Sequence, residues 1–210
     1  MKHARTRPWK LTWAASFALT FVSFALAASS GLGVPASAST VTTGNVRSGS
    51  VHLASRAVVP AVRSIPVHLS IPAIGVSTGL VQLGLLANGA PQVPASWHIA
   101  GWYKLGPSPG QVGSSVILGH VDSVGGPAIF YRLNQLKIGS KVIVKLADGQ
   151  TVYFQVIALR EYLKAKFPLQ TVYGPKPYPA LQLVTCGGAF DSQTHHYLSS
   201  IVAFTKEVGA

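Results

Sequence analysis

Cys186 is the only cysteine of the chain, and a lone thiol is either buried filler or a nucleophile. It lies at the end of the strand-like stretch Leu181 to Thr185 and before Gly187 and Gly188, where neighbouring glycines leave a sulfur uncrowded and able to reach a carbonyl. A thiol nucleophile needs a group that lowers its pKa or carries its proton, and imidazole is the usual one. Among the seven histidines, His120 ends another strand-like run, Ser114 to Gly119. Two strands that each end in a reactive residue flanked by glycine could present both side chains at one rim of a barrel. Asp122, two residues beyond His120, would bias the imidazole toward its charged form if the side chains meet. Of the others, His3 and His52 fall in N-terminal segments and His68 and His98 have no neighbouring nucleophile. His195 and His196 lie in a polar turn.

The elements that must position this pair begin at Ile65, where the sequence turns to short apolar runs broken by Gly and Pro. Strands are expected at Val67 to Ile71, Ser115 to Leu118, Lys141 to Leu146, Thr151 to Leu159, Ala180 to Thr185 and Ser200 to Thr205, with a tight turn at Asp148-Gly149. One short helix is expected at Ile129 to Leu136, where Ile129, Leu133 and Leu136 recur at helical spacing. Many short strands with turns between them predict a mainly β fold, a closed or nearly closed antiparallel barrel. About 145 residues suffice to bury such a core.

The charge balance tells more about topology than about partners. There are 17 Lys and Arg against 5 Asp and Glu, a formal net charge of +12. Residues 1–10 hold Lys2, Arg5, Arg7 and Lys10, and no further charge appears before Arg47. Residues 11–28 form an apolar run of the length a helix needs to cross a hydrocarbon core, and basic residues ahead of it mark the cytoplasmic flank. The expectation is a single-pass cell-membrane protein with a transmembrane signal-anchor over 11–28 and an extracytoplasmic domain over 65–208. Ala25-Leu26-Ala27 also fits a signal-peptidase site, which would give a cleaved, secreted form. Residues 29–64, rich in Ser, Ala, Gly and Thr, read as a flexible linker. With the charge diluted over flank, linker and an exported domain, nucleic acid is not an expected partner. Five acidic residues leave little for a multi-carboxylate metal cage, and no cofactor is expected.

The strings SVILGHVDS and LQLVTCGGAFD resemble the histidine and cysteine motifs of sortases, the cysteine transpeptidases of Gram-positive cell surfaces. The resemblance extends through IPAIGVSTGL, GWYKLGPSPGQ, IFYRLNQLKIGSKVIV and FPLQTVYGP, over residues 65–205, and is closest to the actinobacterial-type group called class F. It implies a closed barrel of about eight strands in which Cys186 attacks the Thr-Gly carbonyl of an LPXTG-like sorting signal and becomes an acyl-thioester. His120 then serves as acid for the leaving amine and as base for the incoming one, from a peptidoglycan precursor or a pilin lysine.

One departure from that pattern stands out. Sortases carry an arginine on the final strand about a dozen residues after the cysteine, and no arginine follows Cys186 here. The equivalent place is near Leu198 to Ser200. Three explanations are open. Backbone amides or the hydroxyls of Ser199 or Ser200 could serve instead; His195, His196 or Arg160 could reach the site from elsewhere; or the protein is a weak or inactive homologue acting as a surface binding protein. Thr185, Ser200 and His196 are therefore candidates for contacting the oxyanion or positioning substrate. Thr185, next to Cys186 in a strand, should point to the opposite face, and packing suits it better than chemistry. Trp102 and Tyr103 belong to a GWY segment that either anchors a loop or flanks a substrate groove. An L,D-transpeptidase or papain-like enzyme lacks its cysteine signature here. A metal site built from His195, His196 and Cys186 finds no supporting ligand spacing.

Overall fold

The computed structural model describes residues 63–209. The basic flank, the apolar run and all but the last two residues of the expected linker lie outside the described residues. Among the described residues, no helix is long and apolar enough to cross a membrane.

Ten strands form. They are β1 (Pro66–Ile71), β2 (Val76–Leu83), β3 (Ala100–Tyr103), β4 (Gly113–Leu118), β5 (Asp122–Ser123), β6 (Gly126–Pro127), β7 (Lys141–Leu146), β8 (Thr151–Leu163), β9 (Pro179–Asp191) and β10 (His196–Val208). Eight of them close a barrel in the order β1-β2-β3-β4-β9-β10-β8-β7, while β5 and β6 make a small separate hairpin. The period-two alternation of the sequence fixes which side chains enter the barrel. Leu69 and Ile71 of β1, Val142 and Val144 of β7, Phe154 and Val156 of β8, Leu181 and Leu183 of β9 and Ala203 of β10 all meet in one buried cluster. The Asp148-Gly149 turn joins β7 to β8 as expected: Gly149 takes φ 88°, and the Asp148 carboxylate accepts from the Gln150 amide at 3.0 Å.

The barrel is not wholly antiparallel. β2 pairs with β3, and β4 with β9, in parallel. Parallel neighbours need long crossover connections without a local turn signal, so a reading built on turns sees only the hairpins. β3, reached from β2 by a long crossover, escapes the same reading; β2 escapes it too, although the short Pro72–Ile74 turn pairs it antiparallel with β1. The strand expected to stop at Thr185 runs on to Asp191, and Cys186 lies within it.

The helix expected at Ile129 to Leu136 is one 3-10 turn, Leu133–Gln135. Its apolar spacing correctly identifies Leu133 and Leu136 as buried. The bonds across the segment span three residues, from the Leu133, Gln135 and Leu136 amides to the Phe130, Arg132 and Leu133 carbonyls, and Leu136 leaves with extended backbone, so the turn does not become an α-helix. One α-helix forms among the described residues, α1 (Leu169–Tyr173), at a place where no helix is expected; it sets Val172, fully buried, over the outer face of the barrel against Val116, Val184 and Val202.

Two residues at the end of the expected linker are tied to the barrel. The Arg63 guanidinium donates to the carbonyls of Gly106 and Lys104 and lies 5.2 Å from the centre of the Trp102 ring. Ser64 accepts from the Ser108 hydroxyl.

Candidate active site

The parallel pairing of β4 with β9 decides the site. Leu118, the last residue of β4, is aligned with Val184 of β9, and the Gly119 amide carries the ladder one step further to the Val184 carbonyl at 3.1 Å. Two residues on from each partner come His120 and Cys186. Strands that run the same way bring equal sequence offsets to equal heights, so the two residues reach the same level at one end of the barrel. The face on which Cys186 lies follows from strand alternation. Thr185 and its partner Ile201 continue the inward row of Leu183 and Ala203, whereas Val184 and Cys186 continue the outer row that α1 covers.

The glycines flanking the pair are required by their neighbours. A Cβ on Gly119 would lie 2.6 Å from the Phe130 ring, which closes over the end of β4. Gly188 takes φ 74° in a β-bulge, where β9 spends two residues against one of β10 between the pairs Gly187–Ser199 and Phe190–Tyr197. A side chain there would meet the Glu161 carboxylate and the Ser199 hydroxyl. The bulge turns the end of β9 away just after Cys186.

His120 is buried, and its Nε2 donates to the Pro94 carbonyl at 2.7 Å while the Trp97 ring tilts over it with centroids 4.2 Å apart. Both partners come from the connection between β2 and β3, which straps the imidazole in place. Burial pushes the His120 pKa below 6.5, opposed by the hydrogen bond to Pro94 and by the charge of Asp122. Asp122 thus acts in the expected direction, but burial outweighs it.

Cys186 is half-buried, and burial pushes its thiol up. The Lys164 ammonium opposes this through its charge and through a hydrogen bond to the sulfur, and Asp122 adds to the rise. Asp122 accepts a hydrogen bond from the Tyr197 hydroxyl, which lifts the tyrosine to about 12. The site therefore consists of a thiol and an imidazole both held neutral, with one carboxylate and one ammonium at the sulfur. A neutral pair of this kind can pass one proton from sulfur to ring as the thiolate attacks.

The other candidates are dispersed. Ser200 is the direct cross-strand partner of Cys186. Thr185 is buried on the interior face, its hydroxyl oxygen without a hydrogen-bond partner. His196 pairs with Asp191 at the far end of β10, four residues from Ser200 or about 13 Å at ordinary strand rise. His195 takes φ 56° in the exposed turn before it, and Arg160 donates to the neighbouring Leu159 carbonyl. Trp102 is core: its indole donates to the Pro107 carbonyl and anchors the following loop, while Tyr103 packs edge-on against Tyr173. Lys164, Tyr197, Pro94 and Trp97 were not singled out from sequence. None belongs to a local pattern, since each reaches the pair across strands or through a crossover.

Comparison with known proteins agrees with this geometry. A family model described as the sortase domain matches residues 69–208. Solved structures of the same fold include a lid mutant of sortase A from Corynebacterium diphtheriae, at 18% identity, covering 71% of this chain and 73% of that one with a TM-score of 0.54. Sortase C1 from Streptococcus agalactiae is 20% identical, with 69% and 67% covered and a TM-score of 0.54. Sortase C-1 from Actinomyces oris is 18% identical, with 71% and 75% covered and a TM-score of 0.53. No curated protein matches the chain. A family match over two thirds of the sequence, on a barrel whose parallel strands level a thiol with an imidazole, makes the chain a member of the sortase family of cysteine transpeptidases.

Proposed function

We propose that the protein is a cell-surface transpeptidase of the class F type that cleaves an LPXTG-like sorting signal through an acyl-thioester on Cys186 and transfers the acyl group to an amine. The observation that carries this reading is the shared level of His120 and Cys186, set by the β4–β9 register. The sulfur gives its proton to His120 and attacks the Thr carbonyl. A C–S bond forms, the carbonyl electron pair moves onto oxygen, and collapse expels the Gly amine, which takes the proton from the imidazolium. An incoming amine reverses the sequence, giving its proton to His120 and displacing the sulfur. Acceptors of fitting chemistry are a peptidoglycan precursor or a pilin lysine.

The apolar run over 11–28, with basic residues ahead of it, supports a membrane-anchored enzyme with its N-terminus in the cytoplasm and its barrel outside. Retention of both reacting groups, each with a dedicated strap or counter-charge, favours an enzyme over a binding protein built on the same barrel. The test is turnover of a sorting-signal peptide library by the full chain in detergent, with an amine acceptor present. Cleavage that disappears in Cys186→Ala is expected; turnover no greater than that of the variant across the library removes the proposal.

A further inference from the structure

The β10 residue opposite Cys186 is Ser200, and no arginine follows Cys186 in the chain. β10 is bordered on its other side by β8, where Tyr162 pairs with Ser200 and Leu163 with Ser199. One residue further, β8 ends in a single 3-10 turn, Lys164–Lys166. The end of β8 lies two strand spacings from β9, about 10 Å, a gap that only a long side chain crosses. Lys164 stands where its side chain can cross it: it is half-buried, follows Leu163 at the end of β8, and its ammonium opposes the burial that pushes the Cys186 thiol up, through charge and hydrogen bonding. The charge of Asp122 of β5 and the hydroxyl of Tyr197 of β10 also couple to this thiol, Asp122 acts on His120 as well, and the Glu161 carboxylate of β8 lies near Gly188. Lys164 is a cation that acts on this thiol from the end of β8.

We infer that Lys164 is a catalytic residue of this enzyme, an ammonium delivered from the end of β8 that holds the Cys186 thiolate and then the oxyanion formed beside it. The inference rests on Cys186 being the nucleophile. In the acylation step the proton leaves sulfur for His120, the C–S bond forms, and the carbonyl electron pair becomes the oxyanion. Lys164 keeps its own proton throughout and acts only as a donor. A cation reaching from β8 does the work that a β10 guanidinium could do, with a longer lever and one point of contact in place of a planar fork.

The test uses the full chain in detergent with Lys164→Met and Lys164→Arg, and Lys166→Met as a control for general charge. Because Cys186 is the only thiol, its alkylation by iodoacetamide across pH reports its ionisation without any substrate. Lys164→Met is expected to move the inflection to higher pH, while Lys164→Arg and Lys166→Met stay close to the parent. With a cleavable sorting peptide, Lys164→Met should lose about 10²- to 10³-fold in kcat, the usual effect of removing one oxyanion donor, and Lys164→Arg should recover most of it. Superimposable alkylation profiles for Lys164→Met and the parent, with unchanged thermal melts, overturn the inference. So does an equal shift in Lys166→Met. If no peptide is cleaved by the parent while the Lys164→Met inflection still moves, the hold of Lys164 on the sulfur stands and it is the transpeptidase reading that fails.

Discussion

The Nε2 atom of His120 donates to the carbonyl oxygen of Pro94 at 2.7 Å. A carbonyl only accepts, so Nε2 keeps its hydrogen whether the ring is neutral or charged, and proton exchange in the reaction falls to Nδ1. The Trp97 ring over the imidazole withholds water from the charged form. Replacing Trp97 with Ala should therefore raise the His120 pKa toward 6.5 by relieving the burial that lowers it. NMR titration of the imidazole checks this; an unchanged or lower titration point would remove Trp97 as a cause.

Burial acts on the reacting pair in opposite directions, lowering His120 and raising Cys186. Active enzyme carries one proton shared between them, so kcat/KM should be bell-shaped, with its acid limb below 6.5 and its alkaline limb above the ordinary thiol value. Asp122 raises both groups, and Asp122→Asn should move both limbs to lower pH. That pattern differs from the effect of Lys164→Met, which raises the thiol limb. A rate that simply follows thiolate upward with pH, without an alkaline fall, is the result that contradicts the paired proton.

Gly188→Ala places a side chain at φ 74°, where its Cβ would lie 2.5 Å from a Glu161 oxygen and 2.7 Å from the Ser199 hydroxyl. Forcing that conformation costs about 1–3 kcal/mol. For a domain of this size Tm should fall by about 2–4 °C per kcal/mol, readable in a thermal melt. Loss of the bulge should also displace Cys186 and slow its reaction. A variant as stable and as active as the parent would show that the bulge does not hold the site.

The candidate pair, His120 and Cys186, was legible in the sequence because each is announced locally, by a β-branched run before it and glycine beside it. The local turn at Asp148-Gly149 and the inward rows of β1, β7 and β8 were legible for the same reason. What escaped depends on distant pairing. The parallel β4–β9 register, which makes two separate motifs into one site, is set by closure of the whole barrel. Strands β2 and β3 lack a hairpin between them. Lys164 is one lysine in a basic stretch until the order β9-β10-β8 brings it to the sulfur, and Pro94 and Trp97 lie in a crossover without regular structure. The Ile129 to Leu136 segment shows the converse: its spacing is helical, but its backbone bonds span three residues and Leu136 is extended.

The central claim is that Cys186 becomes acylated at the Thr carbonyl of a sorting signal. Intact mass of the full chain, incubated with an LPXTG-like peptide and no amine acceptor, measures this directly. The account predicts a mass increase equal to the peptide up to and including Thr, absent in Cys186→Ala and released when an amine is added. An unmodified parent mass across sorting-signal peptides, or an adduct that persists in Cys186→Ala, would contradict it.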